Sequence, residues 1–320
     1  MEKKLILRGV LAGAIAGLLA FAFARIFAEP VINQAINYES GRDAVIAALD
    51  KAAGLPPPDE GPDIFSRTIQ ANVGIGVGMI AFGAAMGALF AVAYALYLGR
   101  VGNVRARTLA LLVAGGGFVA LYLVPFIKYP ANPPSIGHPE TIRQRGELYL
   151  VMVVASVVLL VLAVWVGQRL KTRFGTWNAA LIAAAGFAVL IGAIMALLPE
   201  LGHLAVNQHL YGNHATETPL PLKNAKGVIV YPGFPADVLF NFRLYSIAAQ
   251  LVLWGAIGLI FAPLADLAAL GPYFAVDVHR PGSPVRPPWQ PLGELTGSPG
   301  ALAGRIGEVR ERLAAAAGCP

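Results

Sequence analysis

Residues 199–214, PELGHLAVNQHLYGNH, gather Glu200, His203, His209 and His214 directly after a long apolar run. Imidazole and carboxylate without thiolate suit Co²⁺ or Ni²⁺ and select neither. Their spacing limits how they could act. Glu200 and His203 are three apart and share a face on a helix; His209 lies six further on and leaves that face, and His214 follows Gly212. A rigid one-helix metal site is therefore excluded. A folded loop could still collect several ligands, and the same residue types serve pH sensing or plain interfacial hydrogen bonding.

Two other segments carry groups of the same kind. In EPVINQAINYE, 29–39, a helix continuing past Pro30 would set Glu29, Asn33 and Asn37 at four-residue spacing with Glu39 close by, a row of oxygen ligands. An amphipathic extension of the preceding apolar helix has the same pattern. In GFPADVLFNFR, 233–243, Asp237 could face a cation, but Pro235 and Asp237 are also what an ordinary helix start uses.

The elements that must position these residues are apolar helices. The chain has 320 residues, is 57% hydrophobic and 13% charged. Crossing the hydrocarbon layer takes about 20 apolar residues, and six stretches meet or approach that length: 5–28, 73–98, 108–127, 148–167, 178–198 and 238–262. Lipid-exposed backbone cannot stay unpaired and no barrel alternation is visible, so the expected fold is all-α, a polytopic bundle of about six helices in membrane lipid. The opening MEKKLILRGVLAGAIAGLLAFAFARIFA has the layout of a signal peptide, but its apolar core is longer than usual for one. A retained first helix is expected.

Charge gives the orientation. Lys3, Lys4 and Arg8, then Arg100, Arg105 and Arg107, then Arg169, Lys171 and Arg173 flank spans with almost no acidic partners. The positive-inside rule puts these three sites in the cytoplasm, loops 29–72, 128–147 and 199–237 outside, and both termini inside the cell membrane of a prokaryote. The net charge of +6 is explained by these loops, so nucleic acid is not an expected partner. Gly9, Gly13 and Gly17, and Gly83 and Gly87, repeat at four-residue spacing, which suits close helix packing within the chain or in a homo-oligomer. Residues 266–320 read as a Pro/Gly-rich cytoplasmic tail with an amphipathic helix over 301–317, carrying Leu302, Ile306, Val309 and Leu313 on one face.

Several chemistries lack their signatures. No phosphate-cradling loop, zinc-protease pair, nucleophile elbow or haem-attachment motif occurs, and GIGVG at 74–78 lies inside an apolar span. The only cysteine is Cys319. No enzyme activity and no resident cofactor is expected. Mid-span polar groups are scarce: Gln250 is the most central, while Arg25 and Arg243 stand near span ends and no acidic residue sits at mid-span.

The order of segments then carries a resemblance. The basic N-terminus, the Gly-rich first span leading through Pro30 into AINYE, the stretch YPANPPSIGHPETIRQRGELYL, and YPGFPADVLFNFRLYSIAAQLVLWGAIGLIF together resemble the CbtA family of predicted cobalt transporter subunits over residues 1–265. The matching positions are Pro30, Tyr38, Glu39, Pro133, Pro134, Pro139, Glu140, Pro235, Asp237 and Arg243. The resemblance implies cobalt uptake for cobalamin synthesis beside a small single-span partner of the CbtB type with a histidine-rich end. Co²⁺ would be cargo. The Pro-rich tail and the long histidine-bearing loop 199–232 depart from that pattern. The rival expectation is a non-transporting membrane scaffold or envelope assembly protein; transport of an organic solute lacks the usual broken helix or charged midplane site.

Overall fold

The computed structural model describes residues 2–56, 66–102, 104–212 and 216–275. His214, the chain beyond 275 and the segment 301–317 lie outside the described residues. Helix α1 (Glu2–Phe23) passes through a widened π turn, Ala24–Ala28, into α2 (Glu29–Ala52). Helix α3 (Arg67–Ile69) leads through a second such turn, Gln70–Gly74, into α4 (Ile75–Tyr97), and α5 (Ala106–Gly117) through a third, Phe118–Leu123, into α6 (Val124–Lys128). Helices α7 (Ile142–Leu197), α8 (Ala205–Tyr211) and α9 (Ala236–Ala275) complete the order.

Two of the widened turns stand just ahead of a proline, Pro30 and Pro125. A proline ring inside a helix collides with the carbonyl four residues earlier and cannot donate there. A π turn opens that part of the ladder, so the helix continues past Pro30 and does not stop. At the third turn the Ser156 hydroxyl donates to the Ala120 carbonyl.

Among the described residues, five helical stretches are long and apolar enough to cross a membrane, where the sequence predicts six spans. The difference lies in α7, which holds both 148–167 and 178–198. It does not run straight. Gly175 has φ 73° and ψ 169°, outside helical geometry and in the half of backbone space that favours glycine, and a Cβ built on Gly167 would lie 3.4 Å from that of Ala183. The two arms of α7 therefore fold back along each other.

Loops sort to two ends of the bundle. At one, the Tyr129 hydroxyl donates to the Pro199 carbonyl at 2.8 Å, and Arg25 Nε to Asn72 Oδ1 at 2.9 Å. At the other, Arg8 donates to the Leu264 carbonyl at 2.9 Å, and Gly102 lies beside Lys171. We call the first the cap end, because α2, the segment 129–141 and the segments 199–212 and 216–236 cover it.

Helices α1 and α4 run antiparallel in close contact, with Gly9 against Gly87, Gly13 against Gly83 and Gly17 against Met79. Phe90, Tyr94, Trp254, Ile257 and Phe261 fill the core toward the other end. No more than 33% of any span's most apolar window is buried, so the remaining apolar faces require lipid. Among the described residues, the strands form a small antiparallel hairpin, β1 (Leu222–Lys223) and β2 (Ile229–Tyr231). Its turn is built locally: Asn224 Oδ1 accepts from the Lys226 and Val228 amides at 3.0 Å each, and Gly227 takes φ +77°.

Candidate functional site

Glu29, the first residue of the predicted oxygen row, is 3% exposed. The Arg67 guanidinium donates to its carboxylate and, at 3.2 Å, to Asn33 Oδ1. The position a bare cation would occupy between these oxygens is thus held by a protein cation, and the row ties α2 to α3. Asn37, one turn on, is exposed. Glu39 is half-buried, well beyond the apolar part of the first helix. Burial pushes its carboxyl up from the usual range, a hydrogen bond from Ser135 opposes that, and Asp43 adds to it.

Removing one partner should damage this end more than removing both. Arg67→Ala leaves a buried carboxylate unpaired and is expected to cost about 1–3 kcal/mol, limited because Arg67 is itself a third exposed. Adding Glu29→Leu should recover most of the loss in thermal unfolding of the detergent-solubilised protein. A double variant no better than Arg67→Ala would show that the pair does not stabilise this end.

In the histidine loop, Glu200 Oε2 and His203 Nδ1 stand 3.6 Å apart on the turn Leu201–His203, both well exposed. His209 is exposed on α8. Among the described residues no three His, Cys, Asp or Glu side chains form a metal-sized group. Helix α8 turns Asn207 inward instead, fully buried.

Asn207 belongs to a buried polar network that sequence reasoning missed. Its amide nitrogen donates to the Leu201 carbonyl at 2.7 Å and to Glu217 Oε1 at 2.6 Å. Both amide protons being used, Asn207 Oδ1 accepts from His138 Nδ1 at 2.7 Å, which puts the imidazole proton on Nδ1. Thr141 Oγ1 lies 2.7 Å from Glu217 Oε1 and 3.0 Å from the His138 carbonyl, and Arg145 Nε pairs with Glu217 Oε2 at 3.1 Å. The His138 ring lies flat on Tyr211, 3.6 Å between centroids and 13° between planes. Tyr211 in turn donates to Glu140 at 3.1 Å; partial burial, then this bond and the two nearby carboxylates, raise its hydroxyl pKa. His138, Thr141, Asn207 and Glu217 are each at most 8% exposed. A buried network of this kind holds three chain segments in one arrangement.

The three segments singled out for the resemblance also meet here. Val31, Ala35 and Tyr38 of α2, Ile136 and Val238 form one apolar cluster, with Tyr231, Phe234 and Tyr245 around it. The Tyr38 hydroxyl donates to the Pro232 carbonyl at 2.8 Å and the Tyr231 hydroxyl to the Tyr38 carbonyl at 3.0 Å. Arg243 reaches the Ala131 carbonyl at 3.2 Å and Asn132 Oδ1 at 2.9 Å. Asp237 is exposed in the first turn of α9. A cleft of about 280 Å³ between these segments is lined by Arg42, His138, Tyr211 and Lys223. That lining is cationic and does not suit a bare metal cation.

Residues 2–266 match the family described as "Probable cobalt transporter subunit (CbtA)". No curated protein and no solved structure matches the chain.

Proposed function

The chain belongs to the CbtA family of probable cobalt transporter subunits, and from that premise we propose that it carries Co²⁺ from the cap end inward through the helix bundle. The observation that carries this reading is the match itself, which covers every apolar helix, on a chain whose helices need lipid around them. The family description is that of a transporter subunit, which supports a role in transport and not in catalysis. In our reading it crosses the cell membrane six times with the cap outside. The reversal of α7 at Gly175 supports that count, and the gathering of Arg8, Gly102 and Lys171 at the end opposite the cap supports the orientation, since basic loops stay in the cytoplasm.

Glu200, His203, His209 and His214 act as exposed capture ligands on the cap. Glu39, Asn37 and Asp237 supply further oxygens around the mouth, while Glu29 and Asn33 give theirs only after Arg67 withdraws. A small single-span partner of the CbtB type with a histidine-rich end delivers the metal, which feeds cobalamin synthesis. Whole-cell uptake of labelled Co²⁺ tests the reading: deleting the chain with its partner left in place is expected to remove uptake, and unchanged uptake overturns it. In the same assay, His203→Ala, His209→Ala and His214→Ala combined should raise the Co²⁺ concentration needed for half-maximal uptake.

One observation favours a second reading. The mouth is closed by a protein ion pair and the cap is tightly bonded, which would also suit a scaffold that assembles other membrane proteins. That reading predicts normal cobalt uptake in the deletion.

A further inference from the structure

Along α9 the packing changes abruptly at Leu253. Below it, toward the end opposite the cap, Leu253, Trp254, Ile257 and Phe261 are each no more than 5% exposed. Trp254 lies on the backbone of Gly117, and the Phe261 ring meets those of Phe90 and Tyr94 edge-on at 4.9 and 5.0 Å. Above it, every residue from 245 to 250 is only half-buried. The inward stripe of α9 continues into that looser half through Gln250, which shares a face with Trp254, Ile257 and Phe261 by helical spacing.

Gln250 lines a cavity of about 140 Å³ between α1, α4 and α9, with Ala20, Gly78, Met79 and Leu253. Its side-chain amide makes no hydrogen bond to any described residue. An unpaired amide inside a membrane costs of order 1–3 kcal/mol, and an intramembrane polar group facing a cavity is a default pointer to function. No charged side chain lines the cavity, so nothing there attracts an anion or repels a cation. The available groups are the amide oxygen and the Met79 thioether, both lone-pair donors, in a space that holds a few waters.

Resting on the transport reading above, we propose that the Gln250–Met79 cavity is a water-filled way station for a divalent transition-metal cation, closed beneath by Trp254 and the Phe90–Tyr94–Phe261 cluster. Two neutral, weak ligands leave the ion most of its hydration. A conducting site must bind loosely enough to release.

The test uses the full chain in lipid nanodiscs, with Cys319→Ser removing the native thiol and Ala249→Cys placing a reporter on the cavity wall. A membrane-impermeant thiosulfonate should modify this reporter, whereas a Trp254→Cys reporter should stay unmodified. Co²⁺ at about ten times its Kd should slow the modification roughly tenfold. Adding Gln250→Leu or Met79→Leu should abolish most of that protection, while Gln250→Glu should strengthen it. Leucine at 250 removes an unpaired polar group, so the fold should tolerate it.

Failure to modify the Ala249→Cys thiol, as when a partner helix covers Gln250, overturns the proposal. So does modification that Co²⁺ does not slow, or protection that survives Gln250→Leu. If deletion of the chain abolishes cellular uptake but the reporter is unprotected, only the way station falls. If uptake is unchanged on deletion, the transport reading falls first.

Discussion

Gly13→Val will separate the first two apolar helices and leave little folded protein. A Cβ at position 13 would fall on the Gly83 carbonyl and lie 2.9 Å from Gly87 Cα. Both obstacles are backbone, so no rotamer change relieves them. The contact repeats one turn away in each direction, at Gly9 with Gly87 and at Gly17 with Met79, so the helices must part along the whole seam. In lipid there is no hydrophobic force to offset that loss, because close packing of small residues is itself what holds the helices together. The cost should reach or exceed about 3 kcal/mol, the upper end of overpacking in a tight core. Gly186→Ala is the control, since a Cβ there meets nothing within 4 Å. Size-exclusion profile and thermal unfolding in detergent read both variants; a monodisperse Gly13→Val protein melting with the parent would refute the seam.

Glu217→Ala is expected to have the second largest effect, and a local one. The carboxylate accepts from Thr141 and Asn207 and pairs with Arg145 with no exposed side-chain surface. Alanine would leave the Arg145 cation and one amide proton of Asn207 without their acceptor, while Thr141 keeps the His138 carbonyl. Breaking a buried pair in this way costs about 3–5 kcal/mol. Because the network ties the chain after α7 to the segment 138–145, the loss should appear as opening of the cap and not as unfolding of the bundle. Amide hydrogen exchange of the purified protein should rise in 199–212 and 138–147 and stay unchanged in α4 and α5. Glu217→Gln keeps an acceptor but not the charge, so it should fall between the two. Uniform exchange across the cap and bundle would show that the network does not hold the cap separately.

Much of the architecture was legible in local stretches of sequence. Long apolar runs marked the spans because membrane thickness sets their length. The four-residue glycine repeats marked the helix faces that pack, whereas continuation of the helix past Pro30 was open in the sequence and rests on the π turn ahead of it. Gln250 stood out as the most central polar residue. The small hairpin at 222–231 was not anticipated, although its Asn224–Gly227 turn has ordinary turn residues. Of the candidate site, only the membership of segments was readable. His138 was seen as part of a family-like stretch and Glu217 not at all, since a glutamate between threonines before a proline carries no pattern that predicts burial.

What sequence alone determined here is whatever depends on near neighbours: which segments are apolar helices, which loops are basic, and which face of a helix is small. What only tertiary structure decided is which groups cancel one another. Glu29 looked like an open oxygen ligand until Arg67, 38 residues away in the chain, was found donating to it. Asn207 proved the inward residue of the histidine loop because Glu217, Thr141 and His138 converge on it from other segments. A charge or amide buried in a membrane protein is tolerable only with its partner in place, and partners are chosen in space, where sequence separation leaves no periodic trace.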